Sequence, residues 1–74
     1  YTNLYNAIKN ISGKWCHCLE SVWIVNYGNN ASYIRDYLQK YIDYNDKLFV
    51  VELGPDWDTY NLGDVCNQWI KDNL

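Results

Sequence analysis

The apolar positions change period along the chain, and the changes divide it into successive elements. In residues 1–11, Leu4, Ala7, Ile8 and Ile11 fall at i, i+3, i+4 and i+7, one stripe of an amphipathic helix. Thr2 or Asn3 is placed to cap its start. Ser12-Gly13 ends it, because glycine takes the left-handed conformation past a helix end without steric cost. Residues 14–27 (KWCHCLESVWIVNY) are rich in aromatic and β-branched side chains and contain neither Gly nor Pro, so they read as extended. This is too long for one strand, and a tight turn near Glu20-Ser21 divides it into two. Trp15, His17 and Leu19 then share one face of the first strand, and Cys16, Cys18 and Glu20 the other. Beyond the turn, Val22 and Ile24 oppose Trp23 and Val25.

Gly28-Asn29-Asn30 is a turn whose last residues suit a helix cap. The pattern over residues 31–42 predicts a helix with Ile34, Leu38, Tyr41 and Ile42 inward. Its outward positions are Arg35, Asp36, Gln39 and Lys40, with Asp36 and Lys40 at i, i+4. After the turn Asp43–Asp46, the nearly continuous apolar run of Lys47–Leu53 predicts a strand covered on both faces. Gly54-Pro55 breaks it, residues 56–63 read as irregular, and Asp64 is the expected cap of a short helix burying Val65, Cys66, Trp69 and Ile70.

The order α-β-β-α-β-α is that of an α+β, ferredoxin-like βαββαβ domain with an antiparallel sheet, its first strand missing, plus a short C-terminal helix. Residues 1–74 form a single domain. In this topology the missing strand is central, so its absence leaves edges unpaired in mid-sheet. The expectation is a strand upstream of Tyr1, or one supplied by another chain. Tyr1 is not an initiator Met, which points to a processed, shortened or partial chain.

Composition narrows the function. A chain 49% hydrophobic and 18% aromatic is globular rather than disordered. It lacks the roughly 18 consecutive apolar residues of a bilayer span, so no membrane association is expected. The net charge is −3, with the acid concentrated from Glu52 to Leu74: five carboxylates against Lys71. Neither part of the chain is a basic patch, and sequence-independent nucleic-acid binding by this surface is not expected. The odd count of three cysteines argues against a closed disulfide framework and for reduced, packing thiols in a cytoplasmic protein.

The segment HCLESVWIVNYGNNASYIRDYLQKYIDYNDKLFVVELG, His17 to Gly54, resembles the small CRISPR-associated subunit of the spacer-integration complex. Ser21-Val22-Trp23, the helix 31–42, the turn Asp43–Asp46 and Leu48–Leu53 stand where that family has strand, helix, acidic turn and final strand. It is similar also to small bacterial and phage proteins of that superfamily labelled SinR-like, through Trp15–Val25 and Ile34–Leu48. The resemblance implies a ferredoxin-like homodimer that stacks two sheets face to face. The family's metal-binding Asp lies on the first strand, so no residue of this chain inherits it.

No complete active site is legible. Cys16-His17-Cys18 suggests zinc, but a strand points its histidine away from both cysteines, a fourth ligand is missing, and nothing in the sequence places Cys66 nearby. No bound metal or other cofactor is therefore expected. Asp56-Trp57-Asp58 with Asp64 offers oxygen ligands in no calcium-loop spacing. His17 as a general base needs a nucleophile or carboxylate within reach, and Ser21, four residues on across the break, is too weakly placed to make a Ser-His site. The four glycines are isolated turn residues, so there is no phosphate loop.

The binding and interface candidates are His17, Trp23, Tyr27, Trp57 and Tyr60, whose aromatic surface suits a dimer interface, a protein partner or a small nucleotide. The expected function is binding, in phage–host defence or toxin–antitoxin conflict. Two rivals are a Mg-dependent nuclease with its catalytic Asp on the missing strand, and a small-nucleotide-binding protein.

Overall fold

The computed structural model describes residues 1–74 and comprises three helices and one β-hairpin. Helix α1 (Thr2–Ser12) is followed by β1 (Trp15–Leu19), β2 (Val22–Val25), α2 (Ala31–Leu38) with a 3-10 turn over Gln39–Tyr41, and α3 (Asp64–Asn73).

Gly13 closes α1 as its sequence position predicts. It adopts φ 74° and donates its N–H to the Lys9 carbonyl at 3.2 Å, a conformation that strains any side chain. The Ser12 hydroxyl brackets the turn, donating to the Lys14 carbonyl and accepting from the Lys14 N–H. Asn30 caps α2, its Oδ1 accepting the Tyr33 N–H at 2.9 Å. Removing that acceptor by Asn30→Ala is expected to cost about 1 kcal/mol of unfolding free energy in a urea titration.

The other expected caps are not made. Tyr1, rather than Thr2 or Asn3, stands at the N-cap of α1, and Gly63 rather than Asp64 at that of α3. Asp64 lies instead in the first turn of α3, where its charge meets the positive end of the helix dipole.

The hairpin turns at Glu20-Ser21, as the break in the long extended run predicts. Trp15 pairs with Val25, Cys16 with Ile24 and Leu19 with Val22, so the register slips by one residue between Cys16 and Leu19. The slip is a bulge, and a bulge changes which side a residue presents. Leu19, expected beside Trp15 and His17, lines a groove with Cys18 and Val22 instead.

The hairpin's two faces meet different helices. On one, Trp23 and Val25 pack against the cluster of Ala7, Ile8 and Leu38 that joins α1 to α2, together with Leu4, Ile34, Tyr37 and Leu48. On the other, Cys16 meets Cys66 of α3, and Ile70, one helical turn on from Cys66, is 2% exposed. Two side-chain bonds hold α3 in place: Asn26 Nδ2 donates to the Asn73 carbonyl, and the Thr59 hydroxyl donates to Asn67 Oδ1.

The expected strand Lys47–Leu53 is not formed. Those residues have no regular secondary structure, and the sheet has two strands rather than three. A strand exists only through a neighbour's ladder, and none lies beside this run. All 28 backbone–backbone hydrogen bonds fall elsewhere, so none involves Lys47–Leu62. A folded domain of this length makes about 50. The apolar run is correspondingly open: Phe49 is 85% exposed and Val51 70%, while Leu48 alone joins the core cluster. Five of 74 residues are buried.

Candidate functional site

Three cysteines meet where β1 lies against α3. The bulge leaves Cys16 and Cys18 on the α3 side, and Cys66, in the first turn of α3, reaches them from the other direction. Cys16 Sγ and Cys66 Sγ are 3.4 Å apart, and Cys18 Sγ is in disulfide contact with both. The Cα separations, 5.8 Å for Cys16–Cys18 and 6.0 Å for Cys18–Cys66, suit either bond. A sulfur closes only one disulfide, so these pairings exclude each other and each leaves one thiol over.

Nothing in the sequence places Cys66 near the other two; the fold does, and its disulfide contacts differ from the expectation of reduced, packing thiols. Its signal was partly readable: Cys66 sits on the buried stripe of α3, and Cys16 and Cys18 share a strand face. What was missing is which face of the hairpin α3 covers.

His17 lies on the opposite face, outside this set. Its ring stacks on Trp23 at 3.8 Å with an interplanar angle of 12°, and its Nε2 is 2.9 Å from the Glu20 carbonyl, which ties the strand to the turn. It does not engage Ser21. Trp23 is the hub of an aromatic group, with Tyr5 at 5.2 Å and Trp15 at 5.3 Å, and the Lys9 ammonium stands 4.9 Å over the Trp15 ring. The Trp23 Nε1 donor is buried without an acceptor.

The remaining aromatic candidates separate. Tyr27 lies beside Tyr33, ring centres 6.2 Å apart. Trp57 and Tyr60 line an apolar groove of about 320 Å³ together with Val22, Ile24, Leu53 and Ile70. Thus the fold brings His17 to Trp23 and Trp57 to Tyr60, and leaves Tyr27 apart from both pairs. The carboxylates of Asp56, Asp58 and Asp64 gather into no ligand set; Asp58 Oδ1 accepts the Thr59 N–H at 2.8 Å.

A second polar feature lies where the start of α1 meets the turn after α2. Asp46 accepts the Asp43 N–H at 2.9 Å and the Tyr1 hydroxyl at 2.8 Å. The backbone bond from Asp43 first, and the Tyr1 bond second, hold the Asp46 carboxyl below its ordinary range. The same bond to Asp46 raises the Tyr1 phenol above its own.

The signs give a window. Asp46 has a lowered folded value, so its contribution is complete above the unfolded carboxylate range and is lost as pH falls through the folded value. Tyr1 has a raised folded value, so its contribution is complete below the unfolded phenol range and is lost as pH rises through the folded value. The difference in Tm between the protein and Tyr1→Phe is therefore expected at about pH 7 and is expected to shrink as acid is added and pH falls through the folded value of Asp46.

No known family model matches the chain, and no solved structure matches its fold. None of its helices is long and apolar enough to cross a membrane.

Proposed function

We propose that this chain is a small dimeric binding protein of the CRISPR-adaptation-subunit superfamily. Its ferredoxin-like sheet is completed by a strand between β2 and Lys47–Leu53, and its open apolar run is buried in a homodimer. It works by binding, in phage–host defence or toxin–antitoxin conflict, rather than by chemistry of its own residues.

The observation that carries this reading is the Lys47–Leu53 segment. It has the composition of a strand covered on both faces, yet Phe49, Val51 and Leu53 are exposed and its backbone has no hydrogen-bonded partner. Exposed apolar strand-forming sequence with free N–H and C=O groups is what β-strand addition uses. The arrangement of α1 and α2 on one face of the hairpin, around Ala7, Ile8 and Leu38, supports the ferredoxin-like order. The resemblance over His17–Gly54 supports the superfamily and the role in conflict systems.

Sedimentation at micromolar concentration, with hydrogen exchange in the same samples, tests this. The expected result is a dimer in which the amides of residues 48–53 exchange slowly, and whose protection is lost on dilution to monomer. A monomer at micromolar concentration with fast exchange over these residues would overturn the reading.

A further inference from the structure

Three sulfurs within 4.8 Å of one another are one too many for a disulfide, and they are the set that gathers in this fold. We propose that in the reduced protein Cys16, Cys18 and Cys66 together hold one soft, monovalent d10 cation of the Cu(I) class in a three-coordinate thiolate site.

The donor set selects the ion. Thiolates favour soft metals such as Cu(I) and zinc over hard, oxygen-seeking ones. A structural zinc site closes with four protein ligands, and here no histidine or carboxylate joins the three sulfurs. His17 is turned to the other face of the hairpin, against Trp23. Cu(I) is satisfied by three sulfurs. The immediate surroundings are largely apolar: Cys16 is 8% exposed, Ile70 is 2% exposed, and the half-buried Cys18 shares the apolar groove with Val22 and Ile24. Cys66 stands in the first turn of the ten-residue helix α3, whose positive end favours an anionic sulfur.

The geometry needs little change. Sulfurs bound at about 2.3 Å from a common ion lie about 4 Å apart. Cys16 Sγ and Cys66 Sγ, at 3.4 Å, are near that spacing already. Cys18 Sγ moves away from its two neighbours toward the groove. The step is not a redox reaction: three S–H bonds break, three protons go to solvent, three Cu–S bonds form, and Cu(I) stays Cu(I). Affinity therefore falls as pH falls. Oxidation competes, because a disulfide between any two of the three removes two donors and leaves the third alone.

The test is an anaerobic titration of the reduced protein with Cu(I), read by alkylation and mass spectrometry. One equivalent of Cu(I) is expected to protect all three cysteines together, and X-ray absorption at the copper edge is expected to count three sulfur neighbours. Protection of two thiols or fewer, a stoichiometry other than one, or two or four sulfur neighbours would overturn the proposal. Cys66→Ser is expected to lose one-to-one binding, and a variant with a native circular dichroism spectrum that keeps it would also overturn the site. The alkylation result on the unsubstituted protein does not depend on whether any variant folds.

Discussion

Ile70→Ala is expected to cost about 2–5 kcal/mol of stability, measured by urea denaturation, and to leave a large unfolded fraction in water. Ile70 is the most buried residue in the chain, at 2% exposure, and it anchors α3 to the hairpin from the side opposite α1 and α2. Truncating it removes transfer free energy and opens a cavity where the covering segment, Leu53–Leu62, has no backbone ladder with which to collapse. The total available is small: a chain of this length has about 4–11 kcal/mol in all. Losing α3 also removes Cys66 from the other two cysteines. In the reduced protein the buried Cys16 thiol is therefore expected to react faster with an alkylating reagent in this variant than in the parent, and a thiol assay reads this independently of denaturation. Truncation to alanine at an exposed apolar position of the same helix, Val65→Ala, is expected to change stability by less than about 0.5 kcal/mol, since Val65 is already 85% exposed.

The double substitution Phe49→Lys/Val51→Lys is expected to leave the monomer's stability nearly unchanged and to raise the dimer Kd by about two orders of magnitude or more. Both side chains are exposed in the monomer, at 85% and 70%, so their loss removes no internal packing. In the proposed dimer they are buried, and two lysines there lose the apolar contact and leave ammonium groups desolvated without partners. Truncating central interface residues commonly costs 2 kcal/mol or more each, with about 1.4 kcal/mol per tenfold in Kd. Sedimentation checks the Kd and urea denaturation the monomer. Val65→Lys controls for added positive charge on an exposed apolar residue elsewhere, and it should leave the Kd within a few-fold. If both variants dimerise as the parent does, residues 47–53 are not the interface.

The two experiments probe opposite kinds of apolar residue. Ile70 and Val65 belong to one helix and differ in which way they face: the stripe that contains Cys66 and Ile70 is turned to the hairpin, while Val65, expected on the buried side with them, is turned to solvent. Phe49 and Val51 look like core by composition and are surface in the monomer. For such residues, exposure marks either a partner or a liability to aggregate, and a reversible, saturable dimer separates the two.

What the sequence by itself determined is local. The 3.6-residue period of Leu4, Ala7, Ile8 and Ile11 and of Ile34 and Leu38 is enough for α1 and α2, because helix hydrogen bonds are made within the segment. The same holds for the left-handed Gly13, the Asn30 cap and the turn at Glu20-Ser21, each set by a few neighbouring residues. The tertiary structure decided everything that depends on distant partners. Lys47–Leu53 has a strand's composition, but a strand's hydrogen bonds belong to its neighbour, and within residues 1–74 none is beside it. Leu19 lies on the side opposite to the one strict alternation predicts, because alternation assumes a regular ladder and the slip after Cys16 breaks it. The thiol cluster joins residues 48 apart in sequence, Cys18 and Cys66. Spacing along the chain places two cysteines on one strand face and a third on a helix stripe; only the packing of α3 onto that face, rather than the one held by α1, brings the three sulfurs together.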